Sequence, residues 1–569
     1  MRYLALATDY DGTIAHHGHV SDATLAALKQ FKDSGRKLIL VTGREFGELK
    51  RDFEHLKLFD YVVAENGALL FDPVTEVERA LGQAPDPALV ERLRDRNIGH
   101  LSVGKVIIAT HEPYENLVLE AIRDLSLEYQ VIFNKGAVMA LPSGLNKSTG
   151  LKAALNELGL SPHNLVGVGD AENDHTFLDM CGCAAVVANA LPALKEKADL
   201  VTAQPHGLGV SELIQRILDN DLDDVVRRFR KTGVAIGETV GDGSIDALHF
   251  DENLLVAGSS GGGKSTFVTG LLERAIEQGY QAVILDPEGD HVELQGALIL
   301  GSSKQAPTID ELAGVFEKPG EPVVANITSI PLEDQPAFLQ ALAPRLRELR
   351  ERTGRPHFIV LDEVHHVLPR DDDSPPSPKP FDLRGVVAAT VEPEHVATSF
   401  LRAIDRLVVK GDAPGKTIHN FCDATRTHAP ADLPEKLEKG RALHWKTSEP
   451  AAREFEITSG KSVRRRHVRK YAEGDLGEER SFVFRGPAQT LKLRAKNLNR
   501  FVELAEGVDD DTWRFHLEQH DYSHWIREQI KDPELADAVA AIEESRDRPA
   551  GETRASIREE IEKRYTASA

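Results

Sequence analysis

The segment YLALATDYDGT, residues Tyr3–Thr13, places two carboxylates at the end of an apolar run. Residues 3–8 predict a buried β-strand. Asp9 and Asp11 are two positions apart at its end, so both side chains can face one pocket. There the first carboxylate can attack phosphorus, and the second can protonate the leaving oxygen and later take a proton from water. Gly12 allows the chain to turn away sharply.

Three later segments offer groups that suit this chemistry. Thr42, in VTGR, follows a second predicted strand and offers a hydroxyl that can bind a phosphate oxygen. Lys147, in GLNKSTGL, places a cation before a predicted helix. The segment GDAENDHTFL, residues 169–178, ends another predicted strand with carboxylates that can hold a metal ion. A carboxylate can attack an anionic phosphate only if the negative charge is neutralised, so we expect Mg²⁺ as a cofactor.

The order of an acid pair, a hydroxyl, a lysine and an acidic cluster resembles the haloacid dehalogenase (HAD) phosphatase superfamily. The resemblance covers about residues 1–215. Glu65–Gly67, and the insert between Thr42 and Lys147, resemble its subclass with an α/β cap, the Cof-type and sucrose-phosphatase-like branch.

This resemblance implies a role for each matching residue. Asp9 is the implied nucleophile and Asp11 the implied general acid/base, while Thr42 and Lys147 are implied to bind phosphate. The implied Mg²⁺ site consists of Asp9, Asp11 through its backbone carbonyl, Asp170 and, in support, Asn173 and Asp174.

A second phosphate-binding motif lies near the middle of the chain. GSSGGGKST, residues Gly258–Thr266, fits the pattern G-x-x-x-x-G-K-[ST] between a predicted strand and a predicted helix. Backbone N–H groups and the helix N-terminus can bind phosphate oxygens of ATP. We expect Lys264 to reach the β- and γ-phosphates and Ser265 to bind Mg²⁺. The predicted nucleotide-binding residues of this loop are Gly258, Gly261, Gly263, Lys264, Ser265 and Thr266.

The segment FIVLDEVHH, residues 358–366, supplies the acids that complete an ATPase. Asp362 follows an apolar strand and is suited to hold Mg²⁺ through water, so we count it among the nucleotide-binding residues. Glu363 is suited to activate the attacking water. A nucleotide kinase does not need this second acid, whereas a hydrolysing ATPase does, so the pair predicts ATP hydrolysis.

Together with LDPEGDH, residues 285–291, these motifs resemble the HerA/FtsK-type ATPases over about residues 235–425. Members of that group are RecA-like motors that often work as hexameric rings, which implies a homo-oligomer. The resemblance also implies that an arginine from a neighbouring subunit completes hydrolysis, and Arg402 and Arg406 are the candidates.

Alternating strand-like and helix-like segments predict an α/β protein with three parts. Residues 1–218 are expected to form a Rossmann-like HAD core with an α/β cap at about 72–144. Residues 235–430 are expected to form a RecA-like P-loop NTPase domain, and residues 475–550 a small, mainly helical module.

The composition of the chain limits the kinds of partner and compartment that we expect for the protein. A formal net charge of −23 does not favour nucleic-acid binding through bulk charge. The densest basic run is KSVRRRHVRKY at 461–471. Two interpretations of it stay open: a nucleic-acid contact, or a solvated linker or subunit contact. Three cysteines cannot build a disulfide framework, which favours a reducing compartment. Without a signal-peptide pattern or a long apolar run, we expect a cytoplasmic protein with no membrane partner.

The main interpretation is a bifunctional protein. One domain would be a Mg²⁺-dependent phosphomonoester hydrolase that forms an aspartyl-phosphate and acts on a small phosphorylated substrate. The other would bind and hydrolyse ATP to assemble or regulate it. Three alternatives stay open: a DNA-associated ATPase motor whose phosphatase trims ends or nucleotides, a polynucleotide kinase-phosphatase, and a nucleotide-sensing oligomeric scaffold.

Overall fold

The computed structural model describes most of the chain. The described residues are 2–96, 98–226, 233–240, 243–259, 263–292, 294–317, 320–370, 383–411, 413–438, 440–458, 471–472, 476, 480–487, 491–530, 532–545 and 547–565. Two features singled out above, Gly261 and the part of the basic run at 461–470, lie outside these residues.

The N-terminal part contains a core sheet, a cap sheet and one small hairpin. Its strands are β1 (Ala5–Thr8), β2 (Ala15–His16), β3 (His19–Val20), β4 (Lys37–Val41), β5 (Tyr61–Ala64), β6 (Leu69–Asp72), β7 (Val77–Ala80), β8 (Ser102–Val103), β9 (Ile108–His111), β10 (Tyr129–Asn134), β11 (Ala137–Pro142), β12 (Leu165–Gly169), β13 (Cys183–Val186) and β14 (Leu200–Val201).

The helices of this part connect successive strands. The α-helices are Asp22–Asp33, Phe46–Asp52, Pro87–Asp95, Glu115–Asp124, Lys147–Leu158, His175–Leu178, Pro192–Lys195, His206–Asn220 and Asp223–Val226, and the 3-10 turns are Leu56–Leu58, Glu65–Gly67, Pro162–Asn164 and Glu172–Asp174.

The core sheet has eight strands in the order β14-β13-β12-β1-β4-β5-β6-β7. Strand β1 is buried along its whole length and pairs in parallel with β4 and β12, as expected for a central strand covered on both faces. Hydrophobic clusters fill the space on both sides of this sheet. The carboxyl ends of β1, β4 and β12 therefore meet at one edge, directly before Asp9, Thr42 and Asp170.

The cap is a four-stranded sheet in the order β10-β11-β9-β8, with two helices packed on it. It is inserted between β7 and the helix that begins at Lys147. Residues 72–80, which the sequence pattern assigns to the cap, include β7. That strand extends the core sheet because it pairs with β6.

The middle part is built on an eleven-stranded sheet in the order β16-β15-β25-β24-β23-β17-β22-β21-β18-β20-β19. Its strands are β15 (Val234–Thr239), β16 (Ile245–Leu248), β17 (Leu254–Gly258), β18 (Ala282–Asp286), β19 (Leu298–Leu300), β20 (Val323–Asn326), β21 (Phe358–Leu361), β22 (Val386–Thr390), β23 (Arg406–Lys410), β24 (Arg441–Lys446) and β25 (Arg453–Ile457). The last two strands follow residue 430, so this sheet extends past the range that the sequence pattern gives it.

Helices cover both faces of the parallel part of this sheet. They are Lys264–Glu277, Ile309–Phe316, Gln335–Thr353, Val364–Val367, Thr398–Leu401 and Pro414–Thr425, with 3-10 turns at Leu332–Asp334 and Pro393–His395. Seven neighbouring strands, β23-β17-β22-β21-β18-β20-β19, are parallel, as in a RecA-like core.

The C-terminal part is mainly helical and has its own core. Its elements are the hairpin β26 (Phe482–Phe484) and β27 (Leu493–Ala495), the helices Leu498–Gly507, Asp510–Glu518, Asp521–Trp525, Pro533–Glu543 and Ala550–Tyr565, and a π-helical turn at Ile526–Ile530. Its aromatic side chains stack inside this core, for example Trp513 on Tyr522 at 4.4 Å.

The predicted fold class, α/β with a Rossmann-like first part and a P-loop second part, is confirmed. Cys181, Cys183 and Cys422 are buried and form no disulfide. None of the described helices has the length and apolar character needed to cross a bilayer.

Candidate functional sites

Lys147 is the centre of the first site. It begins a helix that Asn146 caps, and its side chain is fully buried. Its Nζ donates to Asp9 Oδ1 at 2.6 Å and also to Asp174 Oδ1. Burial alone would lower the pKa of Lys147, but the adjacent Asp174 and Asp9 carboxylates raise it above the usual value. The lysine therefore stays charged inside the site.

Asp174 acts as a support for the neighbouring loop. Its Oδ2 accepts hydrogen bonds from the backbone N–H groups of Asp170 at 2.8 Å and Ala171 at 2.9 Å. Because its other oxygen binds Lys147, both carboxylate oxygens already have partners. Asp174 thus fixes the positions of Asp170 and Lys147.

The carboxylates of Asp9, Asp170 and Asp174 carry more negative charge than Lys147 can balance. All three are buried, and one oxygen from each lies within 4.8 Å of the others. Burial, with Asp174 beside it, raises the pKa of Asp9 to about 8, although Lys147 opposes this shift. Carboxylate and carbonyl oxygens are the ligands that Mg²⁺ prefers. The donor set and its excess charge therefore fit a divalent cation.

Asp11 is held by Arg44, a residue that the sequence analysis did not single out. Arg44 Nε lies 2.7 Å from Asp11 Oδ2, and Nη2 lies 2.8 Å from Oδ1. The same guanidinium binds Asp52 at 2.8 Å. A bidentate pair of this kind fixes the orientation of the carboxylate. Arg44 belongs to the VTGR segment, so its proximity to Thr42 was the available signal.

Thr42 is fully buried at the end of β4, and its Oγ1 accepts the backbone N–H of Arg44 at 3.2 Å. Asn173 donates to Asn66 Oδ1 at 3.0 Å and so joins the acidic loop to the turn Glu65–Gly67. These predicted residues lie along the same edge of the core sheet as Asp9 and Asp170.

The cap also supplies Lys135, which the sequence analysis missed. Lys135 lies in the β10–β11 turn, and its Nζ lies 2.6 Å from Asp170 Oδ2 and 3.3 Å from the Asp11 backbone oxygen. Burial raises the pKa of Asp170, and Lys135 opposes that shift. The available signal was the dipeptide Lys135-Gly136 between two strand-like runs, which is typical of a hairpin turn.

The second site lies at the carboxyl edge of the middle sheet. β17 ends at Gly258, and the helix after the loop begins at Lys264. Lys264 is buried, and its Nζ donates to the backbone oxygens of Gly258 at 3.0 Å and Ser259 at 3.2 Å. Ser265 and Thr266 occupy the first turn of the helix, half-buried and exposed respectively.

Asp362 and Glu363 follow β21 at the same edge. Asp362 is buried, and its Oδ2 lies 3.0 Å from Nε2 of His291, the last residue of LDPEGDH. Asp286, at the end of β18, accepts the backbone N–H of His291 at 2.6 Å. The two acidic segments predicted from sequence therefore contact each other through His291.

Glu363 has a strained backbone, with φ at 41°. Burial, followed by the charge of Asp362, raises its pKa to about 7. Its Oε2 lies 3.5 Å from His365 Nδ1. Arg406 is buried at the opposite end of β23, where it pairs with Glu252 at 3.0 Å. This position removes Arg406 as a candidate for completing a neighbouring subunit's site.

Comparisons with known proteins divide the chain in the same way. The model of the haloacid dehalogenase-like hydrolase family matches residues 6–81 and 83–214. The model of the central domain of helicase HerA matches residues 235–355.

Several relatives of the first part are phosphatases. A phosphoglycolate phosphatase of Methanothermobacter thermautotrophicus is 30% identical over 223 residues, which are 38% of this chain and 98% of that protein. Phosphoglycolate phosphatase 2 of Saccharolobus solfataricus is 27% identical over 38% of this chain and 94% of its own length. A 5-amino-6-(5-phospho-D-ribitylamino)uracil phosphatase of Bacillus subtilis is 26% identical over 37% of this chain and 94% of its own length. The chain therefore belongs to the haloacid dehalogenase-like hydrolases, and it carries a HerA-type P-loop ATPase domain behind the hydrolase domain.

Proposed function

We propose that the N-terminal domain hydrolyses phosphomonoesters with Asp9 as the nucleophile. The observation that carries this proposal is the buried contact of Lys147 with Asp9, at 2.6 Å, at the edge where three parallel strands end. Lys147 orients the attacking carboxylate and, with Thr42, binds phosphate oxygens. Attack by Asp9 forms an aspartyl-phosphate as the ester oxygen leaves.

Asp11 is the proposed general acid/base. In the first step its proton passes to the leaving oxygen. In the second step it takes a proton from the water that attacks the aspartyl-phosphate, which releases inorganic phosphate. Arg44 orients the ionised Asp11 carboxylate, the form that takes up the proton in the second step.

The residues proposed to hold Mg²⁺ are Asp9, Asp11 through its backbone oxygen, and Asp170, with Asp174 in support. When bound, the cation would neutralise the charge of the phosphate and of the carboxylates. Titration with Mg²⁺ tests this assignment without turnover, because a ligand that binds the native state raises the unfolding temperature. We expect a rise for the wild type and none for Asp170→Asn. The exposed neighbour Glu172→Gln is the control and should respond like the wild type.

The proposed substrate is a small phosphomonoester that carries a second anionic group. Two of the relatives named above are phosphoglycolate phosphatases, and Lys135 brings a positive charge from the cap to the site. We expect Lys135→Gln to raise the KM for 2-phosphoglycolate about tenfold, the loss of one charged hydrogen bond. The KM for a phosphomonoester whose alkyl group carries no charge should change little. Lys105→Gln, which changes an exposed cap lysine that pairs with Glu78, is the control, and an equal effect on both substrates would contradict this role.

We further propose that the middle domain hydrolyses ATP. Lys264 and Ser265 would bind the phosphates and Mg²⁺, Asp362 would hold the cation through water, and Glu363 would activate the attacking water. The pKa of Glu363, raised to about 7, suits a general base at neutral pH.

A regulatory role for this domain is supported by its attachment to the hydrolase domain. Arg355 is buried and donates to the Gly159 backbone oxygen at 2.7 Å. His163 stacks on Tyr280 with ring centroids 3.8 Å apart. These contacts lie at the amino ends of the strands, whereas both candidate sites lie at the carboxyl ends. A nucleotide at the second site can therefore affect the first through the sheets and this interface.

A second candidate function is a DNA-associated ATPase motor, which the match to the HerA helicase domain favours. Measuring ATP hydrolysis by the Asp9→Asn variant, with and without DNA, distinguishes this motor from ATP-driven regulation of a phosphatase. A large increase with DNA supports the motor. A rate that does not respond to DNA supports ATP-driven regulation of a small-molecule phosphatase.

A further inference from the structure

Lys410, the last residue of β23, lies against the phosphate-binding loop. β23 runs parallel to β17, and Lys410 is in register with Gly258. A Cβ added to Gly258 would lie 1.8 Å from the Lys410 backbone oxygen, and φ of Gly258 is 146°. Only glycine permits such a close approach, so the sheet fixes where the Lys410 side chain begins.

Two ammonium groups therefore hold the described ends of one loop. Lys410 Nζ donates to the backbone oxygen of Gly263 at 3.2 Å. Lys264, the next residue along, donates to the backbone oxygens of Gly258 and Ser259. Within the described ranges, Lys410 forms no ion pair with a carboxylate.

The electrostatics of this arrangement favour an anionic ligand. Burial, and then the charge of Lys264, lower the pKa of Lys410 to about 8. Lys264 is the charged group that faces Lys410 among the described residues. The N-terminus of the helix that begins at Lys264 adds a partial positive charge at the same place. A polyphosphate would relieve the repulsion between the two lysines, whereas a neutral ligand would not.

We propose that Lys410 is a second phosphate-binding cation of the ATPase site, in addition to Lys264. In this role it exchanges its hydrogen bond to the Gly263 carbonyl for one to a phosphate oxygen of the bound nucleoside triphosphate. The proposal rests on the ATPase assignment of the middle domain. It assigns phosphate contact to a residue outside the G-x-x-x-x-G-K-[ST] motif.

Binding of AMP-PNP to the full chain tests this role. The Asp9→Asn background prevents the hydrolase domain from acting on the ligand. We expect Lys410→Met to weaken AMP-PNP binding about 10- to 100-fold, as for the loss of a charged hydrogen bond, with a smaller loss for AMP. Lys410→Arg should retain part of the affinity. Lys416→Met, an exposed lysine in the following helix, is the control and should bind like its parent.

Proton uptake separates phosphate contact from a purely structural role. At pH 8 part of Lys410 is uncharged in the free protein, and a bound phosphate would restore its proton. Calorimetry in buffers of different ionisation enthalpy should therefore detect more proton uptake at pH 8 in the parent than in Lys410→Met, where Glu363 and the ligand still contribute. Affinity in the parent should fall as the pH rises above this value.

Unchanged AMP-PNP affinity in folded Lys410→Met would overturn the proposal, and so would proton uptake in this variant equal to that of the parent. If Lys410→Met does not fold, an Arg variant that binds AMP-PNP no better than Lys264→Ala would also overturn it. Failure of the ATPase assignment gives a different result, in which Lys264→Ala binds AMP-PNP as well as the parent does.

Discussion

Asp11 depends on Arg44 for its orientation, since the guanidinium binds both carboxylate oxygens at 2.7 and 2.8 Å. We expect Arg44→Met to lower kcat for phosphomonoesters by about 10-fold or more, because general acid/base catalysis requires a correctly placed group. KM should change much less. Asp52→Asn is the control, as it removes only the outer partner of Arg44 at 2.8 Å. An unchanged kcat in folded Arg44→Met would show that Arg44 does not act through Asp11.

Single residues also differ in how far the sequence could predict them. The sequence could indicate Asp9, Asp11, Thr42 and Lys147, because each follows a predicted strand or begins a predicted helix in an order that resembles the HAD motifs. Lys135 could not be predicted in this way. Its contact with Asp170 requires the cap to fold back over the core sheet, and no local pattern encodes that tertiary approach.

Among the structural elements, the turn Glu65–Gly67 joins the cap to the core sheet. Glu65 is fully buried, and its carboxylate accepts the backbone N–H groups of Lys105, Val106 and Ile107 at 2.8–3.1 Å. We expect Glu65→Gln to destabilise the cap by about 1–3 kcal/mol, because an amide N–H₂ would face backbone donors. Hydrogen exchange of residues 105–107 measures this.

Glu76→Gln changes the same residue type in the exposed turn before β7 and should leave that exchange unaltered. If protection of residues 105–107 is the same in Glu65→Gln as in the wild type, Glu65 does not hold the cap.

The sequence predicted the existence of the larger strands and helices better than it predicted where each sheet ends. The alternation of apolar strands and helices predicted the parallel parts of both large sheets. β24 and β25 were missed as members of the second sheet, since they are antiparallel strands with charged residues that join it after residue 430. The place of β25 depends on pairing with β15, which lies far away in the sequence.

For the whole molecule, the two large sheets are joined at their amino ends. Asn164 precedes β12, His357 precedes β21, and Asn164 Oδ1 lies 3.3 Å from His357 Nε2. Each strand thus connects the interface to one candidate site. These strands offer a route by which one site can affect the other.

Arg355→Met tests this coupling. The variant removes the buried hydrogen bond to Gly159 across the interface, so any effect of ATP on phosphatase kcat should be lost. Phosphatase activity without ATP should remain within about twofold in the folded variant, because Arg355 lies at the amino ends of the strands, away from the phosphatase site. Arg352→Met, an exposed arginine of the same segment, should preserve the ATP effect. Retention of that effect in Arg355→Met would exclude the Arg355–Gly159 contact as the route.

The central claim is that one chain contains two separate phosphate-hydrolysing sites. The most direct measurement assays both 2-phosphoglycolate and ATP hydrolysis in Asp9→Asn and in Lys264→Ala. We predict that Asp9→Asn loses phosphoglycolate hydrolysis by at least about 100-fold and retains ATP hydrolysis, while Lys264→Ala shows the reverse. Loss of both activities in either folded variant, or ATP hydrolysis that survives Lys264→Ala, would contradict two independent sites.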